Sequence, residues 1–486
     1  MSKKSIGAII TAGIALVGTS FIFYNKIKQR RKQRNIERSS GLKQEGNILF
    51  KHNKIEEALQ LYLEAESLLE EDNIERVFIY NNISTCYFLL QDYKNSLIFS
   101  SKTLRIDNKN LKALRIYMET NIKLNNTDEA LFYSFVLSVV SKYRNDKNSD
   151  KSKSIANSLL NEKTRIETIE YLKIKRDFLP FTVLNDFFSK IKNLENFVSD
   201  EKDNLIMKLL DSKEYKELIV FEGNTELIMF VKGGIEFCRG NIEQAKEYFS
   251  QNNFLYSVIM LEYINSEDPE YKYSNILDEI ISNECNDVFI LCYAALIFTK
   301  IKDFGKSNEM LEKAELIDSN YHFIFLVKIY NLMSNESTGE MVYKLLEKCR
   351  NEFFDKVDLM SVVCDVYLQF SDYNSAIELV KEMIKGFSDD PRPYIYMGLL
   401  HEVSSKNELA MQNYLKAIEV DSTFCKSYIL YAKSLLMVYD KKCRSWFENA
   451  LNIATSFEEI YEIKQNLLLM QIEERISALY PELNSE

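Results

Sequence analysis

Leu42-Lys43-Gln44-Glu45-Gly46-Asn47, followed by Ala58, Tyr62 and Ala65, is the stretch from which the rest of the chain is read. Counted from Ser39, Gly46 is position 8, Ala58 position 20, Tyr62 position 24 and Ala65 position 27. Two antiparallel helices approach closely only where small residues sit at their crossing, and a large ring then fills the gap beside them. The pattern therefore predicts a helical hairpin with a period of roughly 34 residues. A second unit, counted from Val77, puts Ser84, Ser96 and Thr103 at the small positions, and a third, from Leu111, puts Ala130 at position 20.

This spacing resembles the tetratricopeptide repeat. It returns far downstream. Gly233, Ala245 and Phe249 fit a unit from Glu226; Ala295, Ser307, Leu311 and Ala314 fit one from Val288. A degenerate unit follows from about His322, then units from Val357 (Cys364, Ala376), Pro391 (Gly398, Ala410, Tyr414, Ala417) and Phe424 (Phe447, Ala450). The expected fold class is all-α, a tetratricopeptide-repeat superhelical solenoid with an N-terminal transmembrane helix. Residues 39–144 form the first repeat domain, 145–225 a connecting helical region, and 226–486 a second repeat domain. The polar run Asn145–Lys163 reads as a loop or boundary, and Ser456–Leu479 as a helix capping the open solenoid end.

Composition narrows the function classes. With 486 residues, 46% of them hydrophobic, and only 13 Gly and 5 Pro, the chain lacks the punctuation of an all-β or α/β enzyme. The first 38 residues hold nine Lys or Arg and one Glu, a net +8; against a total of −11 the remainder carries −19. An acidic body argues against a nucleic-acid partner and would attract basic, amphipathic ligands. The eight cysteines contain no C-x-x-C pair and fall in apolar stretches, where cysteine acts as a small hydrophobe in a reducing compartment. With three histidines, none in motif spacing to a cysteine, no metal site, cofactor or catalytic centre is expected.

Residues 5–25 carry no charge, and their core, Ile6–Tyr24, is 19 residues long. At 1.5 Å per residue that spans about 28 Å, one bilayer core. Lys26, Lys28, Arg30, Arg31, Lys32 and Arg34 follow it. The heavier flank predicts a retained anchor over 1–25 with the body in the cytosol, and a helical basic linker over 26–38 lying near anionic headgroups of the lipid bilayer.

Positions 2, 5, 9 and 12 of the first helix of each hairpin face the concave side. Lys43 and Asn47 stand there one turn apart, Asn82 is at position 6 of the second unit, and Lys112 at position 2 of the third. Two ammonium groups and two amides on one groove suit a terminal carboxylate with an Asp side chain. The set resembles the dicarboxylate-clamp domains that hold the Glu-Glu-Val-Asp tails of the 70-kDa and 90-kDa heat-shock chaperones. The resemblance rests on 42–47, on Tyr80-Asn81-Asn82-Ile83-Ser84-Thr85-Cys86-Tyr87, and on Phe447–Ala454 with Glu458-Glu459. With the anchor and the long second repeat domain, the chain resembles the 70-kDa import receptors of the mitochondrial outer membrane. That family implies chaperone docking at the N-terminal repeats, precursor-protein binding at the C-terminal ones, and translocation-channel subunits as partners. The family's clamp has an Arg at position 6 of the third unit, where this chain has Ile116. Arg115 is the neighbouring cation; one residue is about 100° of helical rotation, so it serves only if its side chain bends back.

The same concave counting in the second domain selects Phe289, Cys292 and Leu296, then Phe323, Leu326 and Tyr330, an apolar stripe for the face of an amphipathic targeting segment. The expected function is an outer-membrane receptor for precursor proteins on a mitochondrion or a reduced, mitosome-like organelle. The alternative is a membrane-anchored co-chaperone or assembly scaffold at the endoplasmic reticulum.

Overall fold

The computed structural model describes the chain apart from residues 1–2, 72, 192–193, 224, 252, 268–270, 272–276, 279–284, 336–338 and 482–486, and gives 3–24 and 196–197 by backbone alone. Among the described residues the chain is all α: 24 helices and one short 3-10 turn, Leu194–Phe197. It divides into two compact units, one of residues 1–164 with 468–486, the other of residues 165–467.

In the first unit three hairpins follow one another. A helix running Lys3–Lys51 pairs with Ile55–Ser67, Arg76–Leu89 with Tyr93–Ile106, and Leu111–Lys123 with Thr127–Tyr143. The packing has the cause read from the sequence. A Cβ at Gly46 would lie 2.7 Å from Cε1 of the buried Tyr62 ring, so only glycine lets the helices close on that ring. The same pairing recurs at Gly398, 2.3 Å from Tyr414. In the second hairpin Ser84, Ser96 and Thr103 are fully buried, and Ser96 Oγ donates to Ser84 O at 3.0 Å. Each of these three hairpins has one left-handed residue in its turn: Asn53, Gln91 and Asn125. Asp92 and Asn110 accept from the backbone N–H of Asn95 and Ala113 and so start their helices.

The expected anchor falls almost wholly on residues whose side chains lie outside the described ones. Among the described residues no helix is long and apolar enough to cross a membrane. The linker continues the Lys3–Lys51 helix, as expected. Part of its charge is engaged by protein: Lys32 pairs with Glu70, and Arg38 with Glu64 at 2.7 Å.

The polar run Asn145–Lys163 is not a loop. Ser149–Leu172 is one helix, with Ser152, Ala156, Leu160, Thr164 and Thr168 buried at every fourth position. Its buried face is built mainly of small hydroxyl residues, so polarity concealed a helical period. The second half of Phe457–Leu479 belongs to the first unit, where Leu468, Ile472 and Ile476 pack with Leu131, Phe132 and Val136. Arg475 pairs with Glu129 at 2.7 Å and lies 3.8 Å over the Phe132 ring.

In the second unit hairpins begin at Glu226, Val288, His322, Val357, Arg392 and Cys425, matching the sequence units to within one residue. The segment 176–190, which shows no repeat, runs across the starts of these hairpins. Arg176 Nε donates to Ala454 O at 2.7 Å, Thr182 Oγ1 to Asp421 Oδ2 at 2.5 Å, and Asp186 pairs with Arg392 at 2.6 Å. Lys190 then meets Asp358 at 3.4 Å, and Tyr321 donates to Lys190 O. Every four to six residues of the segment pass one repeat. The contacts bring Lys190 to the concave face of the middle hairpins.

Candidate functional site

Three of the predicted clamp residues form one hydrogen-bonded relay across the first unit. Tyr62 Oη donates to Asn47 Oδ1 at 2.7 Å, Asn82 Nδ2 donates to the same oxygen at 3.1 Å, and Lys112 Nζ donates to Asn82 Oδ1 at 3.0 Å. Each link joins one hairpin to the next or one helix to its partner. Burial, with a smaller push from Cys86, raises the Tyr62 phenol to about 12, so it stays a donor. The Lys112 side chain keeps access to solvent, yet the enclosing groove desolvates its ammonium and lowers its pKa, opposed in part by Cys86.

Lys43 stands beside the relay and is not linked into it. Its ammonium pairs with Glu75 at 3.3 Å and lies 5.4 Å over the exposed Phe78 ring. Lys43 and Glu75 also line a recess of about 180 Å³ whose apolar wall includes Leu69 and Ile79. Arg115 lies by Glu119, one turn on, with no hydrogen bond to the relay among the described residues; burial raises the Glu119 carboxyl, while Arg115 and Lys151 pull it down. Ile116 is 9% exposed and packs inward. Glu75 and Phe78 were missed from sequence because position counting selects expected residue types, not the groups they meet.

The second unit holds a cavity of about 510 Å³ lined by the hairpins from Val288, His322 and Val357. Of the six residues selected by concave counting, Leu296, Phe323, Leu326 and Tyr330 line it. Phe289 and Cys292 do not; they are 2% and 0% exposed and belong to the core. The Phe289 ring is wedged 5.3 Å from Tyr256 and 4.6 Å from Tyr293, and burial pushes the Cys292 thiol well above its ordinary value. Ten of the 13 residues of Val288–Lys300 are buried, so its sequence offers no polar face from which to phase the groove. The lining there is instead Tyr293, Leu296 and Lys300. Lys190, brought in by the crossing segment, and Asp365 add charge to the wall. No spacing rule places a residue from outside the repeats, which is why Lys190 was not found. The eight cysteines are all unpaired and seven are buried, in keeping with their reading as small hydrophobes.

No family model matches the chain. Among curated proteins it is similar over 124 residues to the human RanBP2-like and GRIP domain-containing protein 4, 27% identical, covering 25% of this chain and 7% of that protein. The human E3 SUMO-protein ligase RanBP2 is 26% identical over 124 residues, 4% of its length. The chain thus spans less than a tenth of these relatives. Among solved structures it is similar to yeast Tom70, with a TM-score of 0.49 at 17% identity, covering 92% of this chain and 99% of that one. It is also similar to the Cut9 and Hcn1 hetero-tetramer of the APC/C, at 0.36 and 10%, covering 91% and 94%.

Proposed function

We propose that this protein is a non-catalytic receptor that holds protein segments on two concave surfaces, one selecting an acidic C-terminal tail and the other an apolar stretch of a precursor protein. The observation that carries this reading is the Asn47–Asn82–Lys112 relay. It fixes two amides and an ammonium from three consecutive hairpins on one groove before any ligand arrives. A carboxylate offers only acceptors. The Lys112 ammonium supplies a charged donor, Asn47 Nδ2 has no partner among the described residues, and Lys43 becomes a second charged donor once it leaves Glu75. Preorganised donors of this kind lower the ordering cost of binding. The recess beside Lys43 takes the apolar side chain of a terminal residue. The natural ligands on this reading are chaperone tails ending in Glu-Glu-Val-Asp.

The 510 Å³ cavity would take bulky apolar residues of the cargo against Leu296, Phe323, Leu326 and Tyr330. With an uncharged run at 5–25 and a basic flank, the receptor would sit on the outer membrane of a mitochondrion or related organelle, body in the cytosol. Fluorescence anisotropy of a labelled peptide ending in Glu-Glu-Val-Asp tests the tail site. Saturable binding that weakens with salt is expected; equal binding of the same peptide with an amidated C-terminus would overturn it. Microscopy of residues 1–38 fused to a fluorescent protein tests the address.

A further inference from the structure

Eight turns in the repeats share a left-handed residue. It is Asn53, Gln91, Asn125, Gly240, Lys302, Ser371 or Ser405 in seven of them, and Tyr439 at φ 57° in the eighth. A bulky ring in that conformation is disfavoured locally, and packing does not compensate, because Tyr439 is 93% exposed. Met437 and Val438, just before it, are 68% and 48% exposed. The turn thus lifts three consecutive apolar side chains into solvent where the other turns place mostly polar ones.

The surroundings have a distinct charge. Residues 440–444 hold Lys441, Lys442 and Arg444 against Asp440, a net +2 within a body of −19, while Lys426, at the far end of the preceding helix, acts on Asp365. Asp440 is half-buried and engaged within the turn: its carboxylate accepts from Lys442 N at 2.9 Å, and its own N–H donates to Leu435 O at 2.9 Å. Lys433 pairs with Glu462, while Lys441 and Lys442 are exposed beside the apolar tip. The only tryptophan of the chain, Trp446, lies behind the turn, 4.8 Å from Tyr431 and 5.7 Å from Tyr428.

We infer that the turn 437–442 is a peripheral membrane contact that seats on an anionic lipid surface. Met437, Val438 and Tyr439 enter the interfacial layer while Lys441 and Lys442 lie at the headgroups. Tyrosine suits that layer because its ring is apolar and its hydroxyl stays hydrated. Charge selects the occupant. An acidic body is repelled from an anionic leaflet except where a local basic cluster reverses its sign.

The test is a local probe in the full chain, Tyr439→Trp with Trp446→Phe, added to vesicles carrying acyl-chain-brominated lipid. Blue-shifted, quenched emission is expected with phosphatidylserine present and not with phosphatidylcholine alone. Lys441→Gln with Lys442→Gln lowers the vesicle partition constant roughly 30-fold, about fivefold per lysine. Emission unaffected by either vesicle overturns the inference, as does equal quenching in both. Tyr439→Asn installs the residue found at Asn53 and Asn125. It should keep or raise the melting temperature and abolish vesicle-induced protection of the 437–442 amides in hydrogen exchange. Protection that survives this change also overturns the inference.

Discussion

Asn82 Nδ2 donates to Asn47 Oδ1 at 3.1 Å, joining the first hairpin of the chain to the second. The oxygen also takes the Tyr62 hydroxyl at 2.7 Å, so one Asn side chain ties the concave surface to the ring that packs the hairpin. Binding-site geometry and core packing are therefore coupled at Asn47. Asn82→Ala should lower affinity for an acidic-tail peptide about tenfold, the loss of one hydrogen-bonding residue in the relay. Unfolding by urea should change little, because both amides lie at the groove surface. Anisotropy and denaturation on one preparation check both parts.

Glu75 competes with any ligand for Lys43. The pair is 3.3 Å apart and Glu75 is solvent-accessible, so it contributes little to stability. Glu75→Gln should tighten peptide binding by releasing Lys43, while Lys43→Ala should weaken it by about 1.5–3 kcal/mol. If both changes leave the titration curve where it was, Lys43 is no part of the site.

Ile116→Arg would restore the residue of the resembling clamp, and position alone predicts a gain in affinity. The structure predicts a cost. Ile116 is 9% exposed and its carbonyl takes the hydroxyl of the buried Thr120 at 2.6 Å. An unpaired guanidinium there should destabilise the first unit by about 1–3 kcal/mol. Thermal unfolding, with the bound peptide as a second readout, decides between gain and loss.

Gly46→Ala places a methyl group 2.7 Å from the Tyr62 ring and should destabilise by about 1–3 kcal/mol. Because Tyr62 holds Asn47, peptide affinity should fall with it. Tyr62→Leu in the Gly46→Ala background should recover part of the stability but not the affinity, a split that global unfolding would not produce.

Asp358 gives a pH prediction. Burial alone would raise its carboxyl, but the His322 ring at 3.5 Å and Lys190 at 3.4 Å outweigh burial and hold it well below the usual range. A depressed folded-state pKa contributes stability above the unfolded value near 4, lost as pH falls through that value toward the folded one. Asp358→Asn should therefore lower stability at neutral pH and flatten the acid limb below about pH 4. Circular dichroism across pH 2–7 reads this directly.

The spacing of small and aromatic residues determined most of the fold. Gly46 with Tyr62, Gly233 with Phe249 and Gly398 with Tyr414 can be read in a string of letters because close helix crossing admits few residue types at fixed intervals. The same spacing selected Asn47, Asn82 and Lys112, since helix phase decides which side chains share a concave face. Tertiary structure alone decided which apolar residues of Val288–Lys300 line the cavity and which are core, because a helix buried nearly all round has no polar face to mark its phase. It also decided that Lys190 reaches that cavity and that Asp358 is held charged, because both depend on segment 176–190 crossing hairpins up to 278 residues away in sequence. Local spacing carries no information about such a contact; only the closing of the repeats around the segment brings the charges together.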